Sequence, residues 1–177
     1  MKSLLLASVA LGLLAMPAYA QQSISEKTGV NSTLGIAPTT QDFVTEAAQS
    51  DMLEIKSSQL VANKSDDKDK TFAERMIKDH TKTSNELKGL VDGGKVKANL
   101  PTTMDSAHQS KLDKLKGLNG KDFTKHYEDM QVSAHKDAVS LFQRYAKGGD
   151  NSELKSWTGQ TVPTLQEHLK MAEDLDK

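Results

Sequence analysis

The chain contains no cysteine in its 177 residues. That excludes disulfides, thiolate metal sites and a lipid attached at a cleavage-site cysteine, so an exported form must be held by its core alone. Neither charge sign is in excess, with 23 basic and 24 acidic residues interspersed along the chain. The basic footprint of a nucleic-acid binder and the polybasic face of a membrane binder are both missing. After the first segment no hydrophobic run is long enough to span a bilayer. No stretch reads as a strand. The Gly-Gly pairs stop helices rather than cradle phosphates, and no strand-turn-helix nucleophile motif occurs.

The first twenty residues read as a targeting segment. Lys2 supplies the positive end, Leu4 to Leu14 is a short apolar run, and Ala18-Tyr19-Ala20 follows Pro17 as an A-x-A cleavage signal. Cleavage after Ala20 would start the mature chain at Gln21 and leave 22 basic against 24 acidic residues. In a Gram-negative source the expected location is the periplasm, with neither membrane span nor lipid anchor in the mature chain.

Residues 21–40 are rich in Ser, Thr and Gly without a sustained apolar period and read as a flexible leader. Residues 41–177 form the expected domain. A first helix runs from about Gln41 to Asn63 on Phe43, Val44, Ala47, Ala48, Ile55 and Val61. A turn at Asn63 to Asp66 leads to a second helix, with Phe72, Ala73, Met76, Ile77, Leu87, Leu90 and Val91, ended by Gly93-Gly94. Lys95 to Gly120 is a linker with its own short helix, opened at Leu100-Pro101 with Thr102 as cap. A third helix spans about Lys121 to Lys147. The fourth begins at an Asp150-x-x-Glu153 capping box and is kinked or locally broken by Pro163. Four amphipathic stripes in one small domain pack together, which makes the expected class all-α and the architecture a four-helix bundle.

An α-helix advances about 100° per residue. On that projection His80, His135 and His168 each fall inside the apolar arc of a different helix, and Glu54 inside the arc of the remaining one. Asp51, Ser58 and Gln131 share those arcs as supporting residues. Glu54 and His80 are level about the turn near Asp66. His135 and His168 are offset by about five residues about Gly149, or roughly 7.5 Å. Neutral imidazoles with a carboxylate suit Zn, Cu, Mn or Fe. The competing reading is a buried polar network in which Ser58, Gln131 and the acids satisfy the histidines. His126 and His108 read as solvated. Met52, Met76, Met130 and Met171 read as core filling rather than as thioether ligands.

The run from Phe43 to Ala48 with Glu54-Ile55, Phe72 to His80, Phe123, Tyr127, Gln131 to His135, and Pro163 to Leu169 together resemble an exported bacterial family known as domain of unknown function 4142. Thr124 and Thr158 stand where Asp and Ala are expected, and the three histidines are intact. The resemblance implies a ferritin-like bundle with a crossover through Lys95 to Gly120. It implies no activity. Di-iron members of that superfamily use Glu-x-x-His. Here the residues three before the histidines are Ile77, Val132 and Leu165, which argues against di-iron chemistry.

The functional expectation is a periplasmic metal-binding bundle in metal handling or envelope stress. The alternative is a structural or interaction bundle whose histidines only hydrogen-bond. An enzyme would need an open ligand position on the metal, and the balance of the sequence is against catalysis. Partner and oligomeric state are not legible in it. The targeting segment makes a direct prediction: intact mass of the secreted product should correspond to a chain starting at Gln21. A product retaining Met1 to Ala20 would refute it.

Overall fold

In a computed structural model, the described residues are 23–27, 29–62, 67–175 and 177. The expected cleavage site and the turn at 63–66 lie outside them. The described chain is all-helical: α1 (Ile24–Lys27), α2 (Val30–Thr33), α3 (Thr40–Val61), α4 (Asp67–Asp92), α5 (Ser106–Gly117), α6 (Gly120–Gly148) and α7 (Ser152–Leu175). The four long helices close a ring, with α3 against α4, α4 against α7, α7 against α6 and α6 against α3. The linker helix α5 lies on α3 and α6.

The helix starts follow capping chemistry, though not always at the expected residue. The Thr39 side chain accepts from the Asp42 amide at the start of α3. In the linker the cap is Asp105, which accepts from the His108 amide at 2.8 Å, rather than Thr102. The fourth long helix is capped by Asn151, whose Oδ1 accepts from the Leu154 amide at 2.9 Å. Asp150 instead accepts bonds from Thr40 and Tyr145, so the expected Asp150-x-x-Glu153 box is not formed. An N-cap reaches the amide two or three residues on, and Asn151 is the residue placed to do so.

Pro163 does not break α7, which is helical from Ser152 to Leu175. Proline removes one amide donor and crowds the carbonyl four residues earlier. That carbonyl belongs to Gly159, and both residues face solvent, where water can take the missing bond.

The apolar core is divided in two. One cluster gathers Leu53, Phe72, Met76, Phe123, Tyr127, Met130 and their neighbours at the end where α7 finishes. The other gathers Phe43, Ala47, Leu87, Leu141, Phe142, Tyr145 and Leu165 at the opposite end. Met76 and Met130 are buried in the first cluster and Met171 packs on it, as core filling requires. Between the clusters lie buried polar residues. Helix α3 alone buries Asp42, Thr45, Gln49, Asp51, Glu54, Ser57 and Ser58. Apolar burial cannot stabilise that face, so each of these groups needs a polar partner.

Residues 24–27 and 29–36, within the leader, are tied to the ring. Arg144 of α6 bonds Glu26 at 2.6 Å and the Ile36 carbonyl at 2.7 Å. The Ser23 amide donates to Asp42 at 2.6 Å.

Gly149 serves a packing purpose as well as ending α6. Its φ of −61° suits any residue. A Cβ there, however, would run into the Tyr145 ring at Cε1. The Tyr145 ring is fully buried, 4.6 Å from the Phe43 ring centroid. Gly149→Ala should therefore cost about 1–3 kcal/mol. Gly117→Ala, with open space at its Cβ, should be neutral or slightly stabilising. Urea unfolding of the two variants checks the contrast.

Candidate metal centre

Between the two apolar clusters, α4 supplies His80, α6 supplies His135 and α7 supplies His168. The ring centroids form a near-equilateral triangle, 5.6 Å for His80–His135 and 5.5 Å for each of the other sides. One nitrogen from each ring lies within 4.8 Å of the others. A tetrahedral Zn²⁺ with bonds of about 2.0–2.1 Å would separate its nitrogens by roughly 3.3 Å, which small side-chain rotations can reach.

The offset expected between His135 and His168 is absorbed. Counted from the helix ends at Gly148 and Ser152, the mismatch falls to three residues, about 4.5 Å. Helical side chains lean toward their own N-terminus. His135 therefore reaches away from the α6–α7 turn and His168 reaches toward it. Each lean removes about one residue of the remaining offset.

Each ring is held from outside. His80 Nδ1 donates to Asp51 Oδ1 at 2.7 Å. Asp51 is itself fixed by hydroxyl donors from Thr83 at 2.9 Å and Ser84 at 3.0 Å. His135 Nδ1 donates to the Gln131 carbonyl at 2.9 Å. His168 Nε2 donates to Asp79 Oδ2 at 3.0 Å, and Asp79 also accepts from Arg75. Facing inward are His80 Nε2, His135 Nε2 and His168 Nδ1. All three are buried without a hydrogen-bond partner among the described residues. A carboxylate or carbonyl holding the outer nitrogen is the usual support of a metal-ligating imidazole. It places the proton outside and leaves the inner lone pair for a cation.

Glu54 is 1 % exposed and neither carboxylate oxygen has a partner among the described residues. Burial raises its pKa, against the opposing pull of His80 and Gln131. It shares this core, but among the described residues the mutually close donor atoms come from the three histidines. Of the expected supporting residues, Asp51 holds His80, and Gln131 contributes its backbone carbonyl. Ser58 serves a different partner, bonding the Tyr127 hydroxyl at 2.9 Å.

Asp79 and its Arg75 clamp escaped the sequence reading. The usable signal was the Arg75/Asp79 pair four residues apart on α4, beside the arc that faces α7. His108 is also not solvated. It is 8 % exposed, with Asp105 at 2.9 Å and Glu46 at 3.6 Å. Its helix α5 folds back onto α3, which a linear reading of the linker cannot place.

A family model described as domain of unknown function (DUF4142) matches residues 18–175. The chain belongs to that family. No curated protein and no solved structure matches this DUF4142 chain. Its centre is therefore interpreted from its own geometry.

Electrostatics differ among the three rings. Burial lowers His135 to about 4, with the neighbouring His80 adding to the effect. Burial likewise lowers His168 to about 4, against the opposing bond to Asp79. Burial also pulls His80 down, but Asp51, Glu54 and Asp79 outweigh it and its pKa is raised. With folded values below the unfolded 6.5, His135 and His168 withdraw stability as pH falls from 6.5 toward 4. The contribution of His80 has the opposite sense: it is complete below 6.5 and lost as pH rises through its folded value. In the metal-free protein, NMR titration should find His135 and His168 neutral at pH 6 and titrating near 4. An ordinary midpoint for either ring would contradict the buried arrangement.

Proposed function

We propose that this chain is an exported, periplasmic, ferritin-like four-helix bundle that binds one transition-metal ion. The ligands are His80 Nε2, His135 Nε2 and His168 Nδ1. Glu54 supplies the fourth ligand or the adjacent counter-charge. One observation carries the reading: every outer histidine nitrogen is held, and every inner one converges unpartnered on the same point. Leaving several buried polar atoms unsatisfied costs about 1–3 kcal/mol each, and a single cation would satisfy all three.

Three neutral imidazoles without thiolate suit Zn²⁺, Cu²⁺ or an iron or manganese ion. When bound, such an ion would act as a Lewis acid with a coordination position not taken by histidine. The role in the cell is metal handling or protection of the envelope rather than turnover. The absence of Glu-x-x-His ahead of all three histidines argues against the di-iron chemistry of ferritin-like relatives.

The second reading is a non-catalytic structural or interaction bundle. It is favoured by the Asp51 and Asp79 bonds, which would hold two of the rings without any metal. Calorimetric titration of the mature, chelator-treated protein with Zn²⁺ distinguishes the two. One ion per chain should bind, and the melting temperature should rise, since a ligand of the native state stabilises it. His80→Ala or His135→Ala should abolish binding and His126→Ala should not. Equal binding by wild type and His80→Ala would place any metal elsewhere and favour the structural reading.

A further inference from the structure

Along the axis of the helix ring the histidine centre is closed at both ends by the apolar clusters. A cation crossing either would lose its hydration with nothing in return. From the side the situation differs. A cavity of about 420 Å³ lies between α3, α5 and α6, closed on one side by the leader at Glu26, Gly29 and Ser32. Its wall includes His80 and Asp51, the residue whose carboxylate holds the His80 ring. His80 is 3 % exposed and its Nε2 is unpartnered among the described residues. The cavity thus reaches a buried ligand-type side chain.

The lining mixes apolar side chains with charged ones, and among the charged ones acids outnumber bases. Glu26, Glu46, Asp51, Asp105 and Asp137 share it with His108, Lys111 and Arg144. Arg144 is neutralised by Glu26 at 2.6 Å, both side chains being less than a tenth exposed. His108 lies 3.6 Å from Glu46 and 2.9 Å from Asp105, and the exposed Lys111 shares the wall with them and with Asp137. A concave, low-dielectric wall with an excess of one sign focuses its field and raises the local concentration of the opposite ion.

We infer that this cavity is the route by which a hydrated divalent cation reaches the three-histidine centre, drawn in by Glu46 and Asp137 and restrained by Lys111. The inference rests on the metal-binding reading above and extends it from where the ion is held to how it arrives. It assigns no ligand role to Glu46, Asp137 or Lys111. They govern the rate of loading rather than the stoichiometry.

The test is stopped-flow uptake of Zn²⁺ by the full mature protein, read by competition with a fluorescent chelator. Glu46→Gln with Asp137→Asn should slow association about three- to ten-fold at low ionic strength, a part of the range that focused fields produce. Lys111→Gln should speed association. Both differences should shrink in about 0.5 M salt, where charges are screened within a few ångströms. Stoichiometry should stay at one ion per chain in every variant. Lys111 is a surface residue, so its variant keeps the test valid even if the double carboxamide variant folds poorly. Rates that follow neither charge change would overturn this route while leaving the centre standing. A wild-type protein that takes up no Zn²⁺ would overturn both.

Discussion

The arrangement of the whole molecule depends on a layer of buried polar groups set between two apolar clusters. His80 lies between Met76 of one cluster and Leu87 of the other, and His135 between Met130 and Ala138. His168 lies between Leu165 and Ala172. Apolar burial is non-directional and would tolerate sliding of one helix past another. The polar layer does not, because each imidazole must meet one acceptor. Asp51 fixes α3 to α4, and Asp79 fixes α4 to α7. These bonds set the height at which the helices register. The surrounding apolar side chains then fill the space that this register leaves.

The same layer explains why α3 buries so much polarity. It packs against α4, α5 and α6 and has little face left for solvent. Some of its polar side chains find neighbours within the ring, as Ser58 finds Tyr127 and Asp51 finds three donors. Glu54 finds none among the described residues, beside a histidine whose positive form is favoured. Burial opposes the charged form of His80, and the carboxylates of Asp51, Glu54 and Asp79 favour it. A dication held by the inner nitrogens would place further positive charge beside the same carboxylates.

The leader and the linker act on the outside of this core. Arg144 ties the leader to α6, and α5 covers α3 beside Glu46 and His108. Together with the ring they enclose the cavity whose wall includes His80. A buried ion pair such as Glu26–Arg144 requires close geometry to offset its desolvation, and the added bond to the Ile36 carbonyl supplies it.

Local chemistry determined much of this in the sequence itself. Apolar spacing placed the four long helices within a few residues of their ends. The three histidines and Glu54 were legible as buried because a side chain inside an apolar arc has nowhere else to go. Glycine pairs marked the stops, although Gly149 proved to be needed for the Tyr145 ring as well. Other features rest on contacts distant in the chain and were not legible. The caps moved to Asp105 and Asn151 because capping depends on which neighbouring side chain is left unengaged. Ser58 turned to Tyr127, and Asp79 became the anchor of His168, through pairings 69 and 89 residues apart. The level meeting of His135 and His168 required the lean of helical side chains, which counting residues from a turn omits. Periodicity states which face of a helix is buried. Only the packed structure states what that face meets, because partner choice depends on height, crossing and side-chain direction together.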